Sequence, residues 1–252
     1  MSFLNAFILS FQDFSDYDRR FSLLTREHGK LNAICKSILK PNARLAGHLD
    51  MPSLSWVELV WSVRGWQITQ ALELESYPDL RQNPEALRAV LTVAKRFDSL
   101  LFAEDETEFR GRLTSANTDN QNQNLFFLWS MFLKTIEAYC QQGFKADYDF
   151  LARQCLIRSF YELGFLPDTF ICANCSQVLK TKFVAYYENQ LYCESCAKTL
   201  GLSGFVLPKT VLDLIQQGLK GVWFADSSYK KPYIQLARLF EQETNLTSSA
   251  KQ

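Results

Sequence analysis

Four cysteines in two C-x-x-C pairs limit how the second half of this sequence can fold. Cys172 and Cys175 form one pair, Cys193 and Cys196 form the other, and 17 residues lie between them. Two thiolates at this spacing hold one metal ion from a tight turn, and two such turns complete a tetrahedron. The intervening segment has the composition of two short strands around a polar turn. We therefore predict a zinc ribbon at residues 170–199 with a structural Zn²⁺, one per chain.

Other uses of these cysteines fit the sequence less well. Two disulfides need an oxidising compartment, and the N-terminus lacks the basic segment and cleavage site of a signal peptide. A thioredoxin-like pair needs one C-x-x-C in a βαβ unit, and iron–sulfur proteins usually space their cysteines differently. Because sulfur would fill every position around the metal, we interpret the site as structural. We expect the other cysteines, Cys35, Cys140 and Cys155, to be buried thiols.

The first 80 residues have the pattern of β-strands. Short apolar or alternating runs occur near residues 6–11, 20–25, 30–36, 54–61 and 66–74, and Gly29 and Gly65 end short connections between them. So many short strands in so short a segment predict a small sandwich or barrel. Closure into a barrel would remove the exposed edges of an apolar sheet.

Beyond residue 77 the hydrophobic period changes to that of helices. Asn83 is a suitable N-cap and Pro84 a suitable first helical residue. Helices are predicted after Pro84 and at residues 125–142, 148–163, 208–218 and 232–243, and the polar segment 114–124 is predicted to be a loop. The acidic residues within 98–108 are interpreted as a solvated face. No apolar stretch reaches the length of a membrane-spanning helix, so we expect a cytoplasmic protein without membrane contact.

A basic stretch lies within the predicted strands. Residues 26–48 contain five Lys or Arg and one acidic residue, and Arg19 and Arg20 come just before. On a barrel, Lys30 and Lys36 would alternate with inward residues and point outward. Equal totals of 27 basic and 27 acidic residues exclude a uniformly basic surface but allow a local patch. The stretch is typical both of a solvated surface and of a nucleic-acid surface.

Aromatic residues that could stack on bases occur among the same strands. We expect most of them to lie in the core, as aromatic side chains usually do. They are Phe11, Phe14, Tyr17, Trp56, Trp61 and Trp66.

The sequence carries few signs of catalysis. The only histidines are His28, in a predicted hairpin turn, and His48, in a predicted loop. The phosphate-binding motifs G-x-x-x-x-G-K-[ST] and G-x-G-x-x-G are absent, as are the G-x-S-x-G elbow and the H-x-E motif of zinc deaminases. We therefore expect a binding protein and not an enzyme.

Several segments, in order along the chain, resemble the RecO family of bacterial DNA repair proteins. The most specific is LTREHGKL at residues 24–31. The others are AFIL at 6–9, DYDRR at 16–20, RLAGHL at 44–49 and LGFLP at 163–167, followed by the C-x-x-C pairs. The resemblance extends over roughly residues 1–240.

The resemblance implies an α+β protein. An N-terminal OB-fold β-barrel at residues 1–80 would bind DNA, and an α-helical domain at 81–252 would carry the inserted four-cysteine zinc ribbon. It implies a recombination mediator without turnover that binds single- and double-stranded DNA and anneals complementary strands. With RecR, such proteins help to load RecA onto strands coated by single-strand binding protein (SSB), whose acidic and apolar C-terminal tail they contact. This activity is expected in the cytoplasm, at the nucleoid.

Two sets of residues are candidates for these contacts. For the SSB tail we favour the helix that holds Arg153 and Arg158, with nearby Phe160 and Phe165, although an ordinary amphipathic helix has the same pattern.

The family usually has a more basic Lys-Gly-x-Arg-Arg-like stretch at 36–40, which here is KSILK. A zinc-ribbon scaffold that binds only proteins is the alternative function. The candidate DNA-binding residues are Arg19, Arg20, Arg26, Lys30, Lys36, Lys40 and Arg44.

Overall fold

Five strands at the N-terminus close into a barrel in the order β1-β2-β3-β5-β4. Neighbouring strands are antiparallel except for the parallel pair of β3 and β5. This is the strand order of an OB-fold, and it confirms the predicted barrel. The strands are β1 Ser2–Asp13, β2 Arg19–Thr25, β3 Gly29–Cys35, β4 Ser53–Ser62 and β5 Gly65–Ser76, with a 3-10 turn at Ala46–His48 before β4.

The structure, a computed structural model, describes residues 2–101, 103, 116–143, 145–165, 171–179, 183–187, 190–202 and 205–225. The chain forms two compact units, Met1–Lys145 and Ala146–Gln252. The change from strand to helix near residue 77 therefore lies inside the first unit, because the first helices pack with the barrel strands.

The barrel interior follows from the alternation of apolar residues along each strand. In β1, Leu4, Ala6 and Ile8 are buried, and in β2, Phe21 and Leu23 are buried. A register shift between Ile8 and Ser10 bends β1. Burying a side chain of the size of leucine or phenylalanine contributes about 1.5–3 kcal/mol. The apolar interior therefore stabilises the closed barrel.

Among the described residues, the helices that follow the barrel in the first unit are α1 Pro78–Gln82, α2 Pro84–Leu100 and α3 Ala116–Gln141. The predicted start of α2 is confirmed, since the side chain of Asn83 accepts hydrogen bonds from the backbone of Glu85 and Ala86 at 3.1 Å. The backbone N–H groups of Asp79 and Leu80 donate to the carboxylate of Glu137, a residue of α3. A side chain from a distant helix thus caps α1.

The predicted loop at 114–124 is wrong over residues 116–124, where α3 has already begun. Helix propagation adds one hydrogen bond for each residue fixed, so an apolar helix extends readily into a polar segment. The side chain of Asn122 also lies against Gly29 in the β2–β3 turn. The barrel therefore supports the polar end of α3.

A carboxylate joins α2 to the outer face of the barrel. Asp98 accepts hydrogen bonds from the hydroxyls of Ser10 at 2.7 Å and Ser22 at 2.6 Å, and it pairs with Lys30 at 2.7 Å. Asp98 is thus not part of a solvated face, as the acidic run had suggested. The acidic residues 104–108 lie outside the described residues.

The second unit begins with α4, Tyr148–Glu162. Asp147 is its N-cap, because the backbone N–H of Phe150 donates to the Asp147 carboxylate at 3.0 Å. A sheet of order β7-β6-β8 follows. The predicted helix at 208–218 is confirmed as α6, shifted by one residue, and the predicted helix at 232–243 lies outside the described residues. The remaining elements are β6 Phe183–Tyr187, β7 Gln190–Cys193, α5 Glu194–Thr199, β8 Phe205–Pro208 and α6 Lys209–Leu219.

Candidate metal centre and nucleic-acid interface

The four cysteines of the C-x-x-C pairs meet at one point in the second unit. Their sulfur atoms all lie within 4.8 Å of one another, and those of Cys175 and Cys193 are 3.9 Å apart. A tetrahedral zinc with Zn–S bonds of about 2.3 Å needs sulfur atoms about 3.8 Å apart. The arrangement of the sulfurs therefore fits a four-coordinate metal ion.

The local backbone explains why the first pair converges. The N–H of Ser176 donates to the carbonyl of Cys172 at 2.9 Å, and Ser176 has a positive φ of 55°. This tight turn brings Cys175 back toward Cys172. The N–H of Ala173 donates to the carbonyl of Leu191 in β7 at 2.9 Å, which ties the turn to the strand that leads to the second pair.

The second pair straddles the start of a helix. Cys193 ends β7 and is the N-cap of α5, so Cys196 lies in the first turn of that helix. The backbone N–H of Cys193 points at the sulfur of Cys172 at 3.3 Å. Backbone N–H groups aimed at sulfur stabilise thiolates, as metal ligation requires.

The surroundings of these thiols favour thiolate at some positions and oppose it at others. The Ser195 hydroxyl and the backbone N–H of Cys196 lower the pKa of Cys193 to about 6. Burial opposes the charge on Cys172, but backbone N–H groups nearby lower its pKa below the ordinary value.

Cys196 shows the opposite behaviour. The amide of Asn174 favours its thiolate, but the neighbouring sulfurs raise its pKa to about 12. Four thiolates so close together repel one another, and a cation removes that repulsion. The donor set, all sulfur, suits zinc or another soft metal.

Hydrogen bonds join the β1–β2 turn to the β3–β4 loop, and basic residues lie on and beside both segments. The N–H of Ser37 donates to the carboxylate of Asp18 at 2.8 Å, and the N–H of Leu39 donates to the carbonyl of Tyr17 at 3.1 Å. The β1–β2 turn and the β3–β4 loop therefore form one surface, which we call the loop surface. It carries Arg19, Arg20, Lys36 and Lys40, and Arg44 is exposed farther along the same loop.

The loop surface also carries aromatic rings, each beneath a cation. The guanidinium of Arg19 lies 4.2 Å from the centre of the Phe11 ring and that of Arg20 lies 4.7 Å from Phe14. The ammonium of Lys40 lies 5.2 Å from the Tyr17 ring. The expectation that most aromatic candidates lie in the core was wrong: of the six, only Trp66 is buried.

Lys30 and Arg26 are placed differently from the other basic candidates. Lys30 lies on the outer face of β3, as predicted, but its side chain is only 12% exposed, because α2 covers it and Asp98 pairs with it. Arg26 is exposed in the β2–β3 turn, 5.1 Å from the ring of Phe127 in α3. Arg26 follows the last residue of β2 and is six residues from Arg20, a separation of about 20 Å along an extended chain. The predicted basic set thus divides into two groups.

The residues predicted to bind the SSB tail are not assembled into a surface. Phe160 is 1% exposed and Arg158 is 7% exposed. The guanidinium of Arg158 lies 3.8 Å from the centre of the Trp223 ring and donates to the carbonyl of Val222. Arg153 and Phe165 are partly exposed. The amphipathic pattern predicts one exposed face, but residues 154–160 of α4 are buried on every side of the helix.

None of the described helices has an apolar stretch long enough to span a bilayer.

Comparison with known proteins gives matches along most of the chain. The family description "Recombination protein O N terminal" matches residues 1–75, and "Recombination protein O C terminal" matches residues 112–230. The DNA repair protein RecO of Thermodesulfovibrio yellowstonii is 26% identical over 204 residues, which cover 81% of this chain and 73% of the relative.

Two further relatives carry the same name. DNA repair protein RecO of Heliobacterium modesticaldum is 24% identical over 172 residues, and that of Pelotomaculum thermopropionicum is 25% identical over 175 residues. These alignments cover 68% and 69% of this chain but 55% and 60% of the relatives, so the chain spans less than two thirds of their length. The matches begin with the barrel and extend through the cysteine cluster, and the chain therefore belongs to the RecO family of DNA repair proteins.

Proposed function

We propose that this protein is a recombination mediator that binds single- and double-stranded DNA on its barrel and anneals complementary strands. The loop surface carries the proposal, because two hydrogen-bonded loops hold Arg19, Arg20, Lys36 and Lys40 together on an OB-like barrel. Barrels of this type bind oligonucleotides through such loops. The named relatives, all DNA repair proteins, support the same function.

The proposed mechanism is electrostatic and involves no chemical turnover. Phosphates of two strands meet the same cations, the repulsion between the strands falls, and complementary bases search for register. Each phosphate contacted on a single strand lowers the logarithm of affinity by about 0.7 for each tenfold rise in salt. The KSILK segment keeps Lys36 and Lys40 but replaces other cations with Ile38 and Leu39, and Ile38 is buried in the barrel core. We therefore expect this loop to contact few phosphates.

Zinc is the proposed metal. Cys172, Cys175, Cys193 and Cys196 would hold it, and the metal would cross-link the turn before β6 to the start of α5. Its role is to stiffen the ribbon. The soft donor set and the spacing of the sulfur atoms support this assignment.

The proposed partners are RecR, SSB and, indirectly, RecA, with action in the cytoplasm at the nucleoid. The burial of Arg158 and Phe160 argues against a direct contact between these side chains and the SSB tail. Arg153 and Phe165 are the more accessible members of that predicted set. A tail that docks on α4 would meet them first.

A protein-binding scaffold without DNA contact is the second candidate. Asp13, Asp16 and Asp18 lie within or beside the same turn as the cations, and their charge favours this alternative. The two candidates are separated by annealing of complementary strands, one of them coated beforehand with SSB. The mediator predicts faster annealing than in the absence of protein, whereas a scaffold that does not touch DNA predicts an unchanged rate.

A further inference from the structure

The end of β1 and the β1–β2 turn place three aromatic rings at the protein surface. Phe11, Phe14 and Tyr17 are 43%, 44% and 53% exposed. Single exposed apolar residues are ordinary on a protein surface, but a cluster marks a contact site. Three exposed rings within seven residues, at the end of β1 and in the turn that follows, therefore suit a ligand with flat apolar faces.

The cations above these rings are exchangeable. An exposed cation–ring contact is weak, and a charge-assisted hydrogen bond to phosphate is stronger. Arg20 and Lys40 lie over Phe14 and Tyr17, so their movement to a phosphate would uncover both rings. Arg19 is also held by Asp13 at 2.9 Å and stays over Phe11.

The rings are carried by a fixed backbone. The N–H of Phe14 donates to the carbonyl of Asp18 at 2.8 Å, which closes the turn. The carbonyl of Tyr17 and the carboxylate of Asp18 are bound by the β3–β4 loop. A platform that is already ordered loses little conformational entropy when a ligand stacks on it.

Charge alone attracts phosphates only moderately at this turn. Asp13, Asp16 and Asp18 offset part of the charge of the neighbouring cations, and Asp16 is exposed. Affinity for DNA at this place thus needs a contribution that does not depend on charge. Stacking of bases on aromatic rings is such a contribution.

We propose that unpaired bases of single-stranded DNA stack on Phe14 and Tyr17 when Arg20 and Lys40 move from these rings to adjacent phosphates. This rests on the proposed DNA binding and adds the feature that selects single strands. In a duplex, both faces of each base are covered by neighbouring base pairs, so the rings gain no stacking partner. The turn therefore favours single strands over duplex.

The test is a fluorescence anisotropy titration of the full chain with a labelled oligo(dT) and with a duplex of equal length. For Phe14→Leu/Tyr17→Leu we expect oligo(dT) affinity to fall at least about 30-fold, because the variant loses the stacking of two bases. Duplex affinity stays within about twofold and the salt dependence is unchanged, because no charge is removed. The matched control is Phe3→Leu, an exposed aromatic at the other end of β1, which leaves both affinities unchanged.

An abasic oligonucleotide completes a double-mutant cycle. The wild-type chain should bind it as weakly as the Phe14→Leu/Tyr17→Leu variant binds oligo(dT), and the variant should bind both alike. Circular dichroism and thermal melting verify that the variant is folded. Equal losses for oligo(dT) and duplex, or no loss for oligo(dT), would overturn the stacking proposal while DNA binding stands. A wild-type chain that binds neither DNA would overturn both proposals.

Discussion

Asp98 shows at the scale of one residue how position decides between structure and function. Its carboxylate pairs with Lys30 and accepts hydrogen bonds from Ser10 and Ser22. In the sequence, Asp98 is one acid in an acidic run and Lys30 is one cation in a basic stretch. In the fold the two residues form an ion pair, because α2, which carries Asp98, packs on the outer face of the barrel, where Lys30 lies. Lys30 is therefore assigned to stability and removed from the proposed DNA contacts.

We predict that Asp98→Asn destabilises the chain by about 1.5–3 kcal/mol, the usual contribution of a hydrogen bond to a charged group. Burial opposes ionisation of Asp98, but Lys30 and the hydroxyls of Ser22 and Ser10 lower its pKa below the ordinary value. The folded state therefore favours the carboxylate, so this stabilisation is present near neutral pH and is lost as pH falls through the lowered pKa.

Urea denaturation at neutral and acid pH measures the effect. The difference between wild type and Asp98→Asn should be largest at neutral pH and shrink in acid. Asp16→Asn, at an exposed aspartate, is the control and should change stability by less than about 0.5 kcal/mol. A difference between wild type and Asp98→Asn that grows as the solution is acidified would contradict the assignment.

At the scale of elements, short-range patterns predict what is formed locally. The strands of the barrel, the cap at Asn83 and the two cysteine turns depend on residues close in sequence, and all were predicted. The placement of Arg158 and Phe160 depends on α4 being covered on all sides, which no local pattern shows. The helical start at residue 116 likewise depends on support from the β2–β3 turn.

The β2–β3 turn gives a direct test of that support. Gly29 has a φ of 62°, and a Cβ added there would lie 2.5 Å from Oδ1 of Asn122. We predict that Gly29→Ala destabilises the chain by about 1–3 kcal/mol, because the backbone conformation and the contact are both unfavourable.

Thermal or urea unfolding measures this cost. Gly47→Ala is a matched control, because a Cβ there meets nothing within 4 Å. Adding Asn122→Ala to Gly29→Ala should restore part of the missing stability. Equal stability of the Gly29→Ala and Gly47→Ala variants would contradict a close contact between the Asn122 side chain of α3 and the β2–β3 turn.

The cysteine cluster makes a second prediction at the scale of elements. We expect about one zinc per chain by metal analysis, and we expect chelation to increase hydrogen exchange in β6 and β7. Zinc affinity should fall as the solution is acidified, because each thiol must lose its proton to bind the metal and protons compete for the sulfur. Cys193→Ser should lose the metal, whereas Cys140→Ser, outside the cluster, should keep it. Full zinc content in the Cys193→Ser variant would contradict the assignment.

At the scale of the whole molecule, equal numbers of acidic and basic residues hide a local cationic surface. The basic stretch was predictable from the sequence. Its division into the loop surface and a second group, Arg26 in the β2–β3 turn and Lys30 in β3, both in contact with helices, was not. The exposed rings were also missed, because average burial preferences say nothing about a particular turn. The fold was predictable from periodicity, and the site required knowledge of which faces α2 and α3 cover.

The salt dependence of single-stranded DNA binding tests the proposal that the loop surface binds DNA through its positive charge. The measurement is an anisotropy titration at several salt concentrations with wild type and with Arg19→Gln/Arg20→Gln/Lys36→Gln/Lys40→Gln. We predict that the variant binds more weakly and that its slope is shallower by about 0.7 for each phosphate that the variant no longer neutralises. An unchanged slope in the variant, or a folded wild-type chain that does not bind DNA at low salt, would contradict this role of the loop surface.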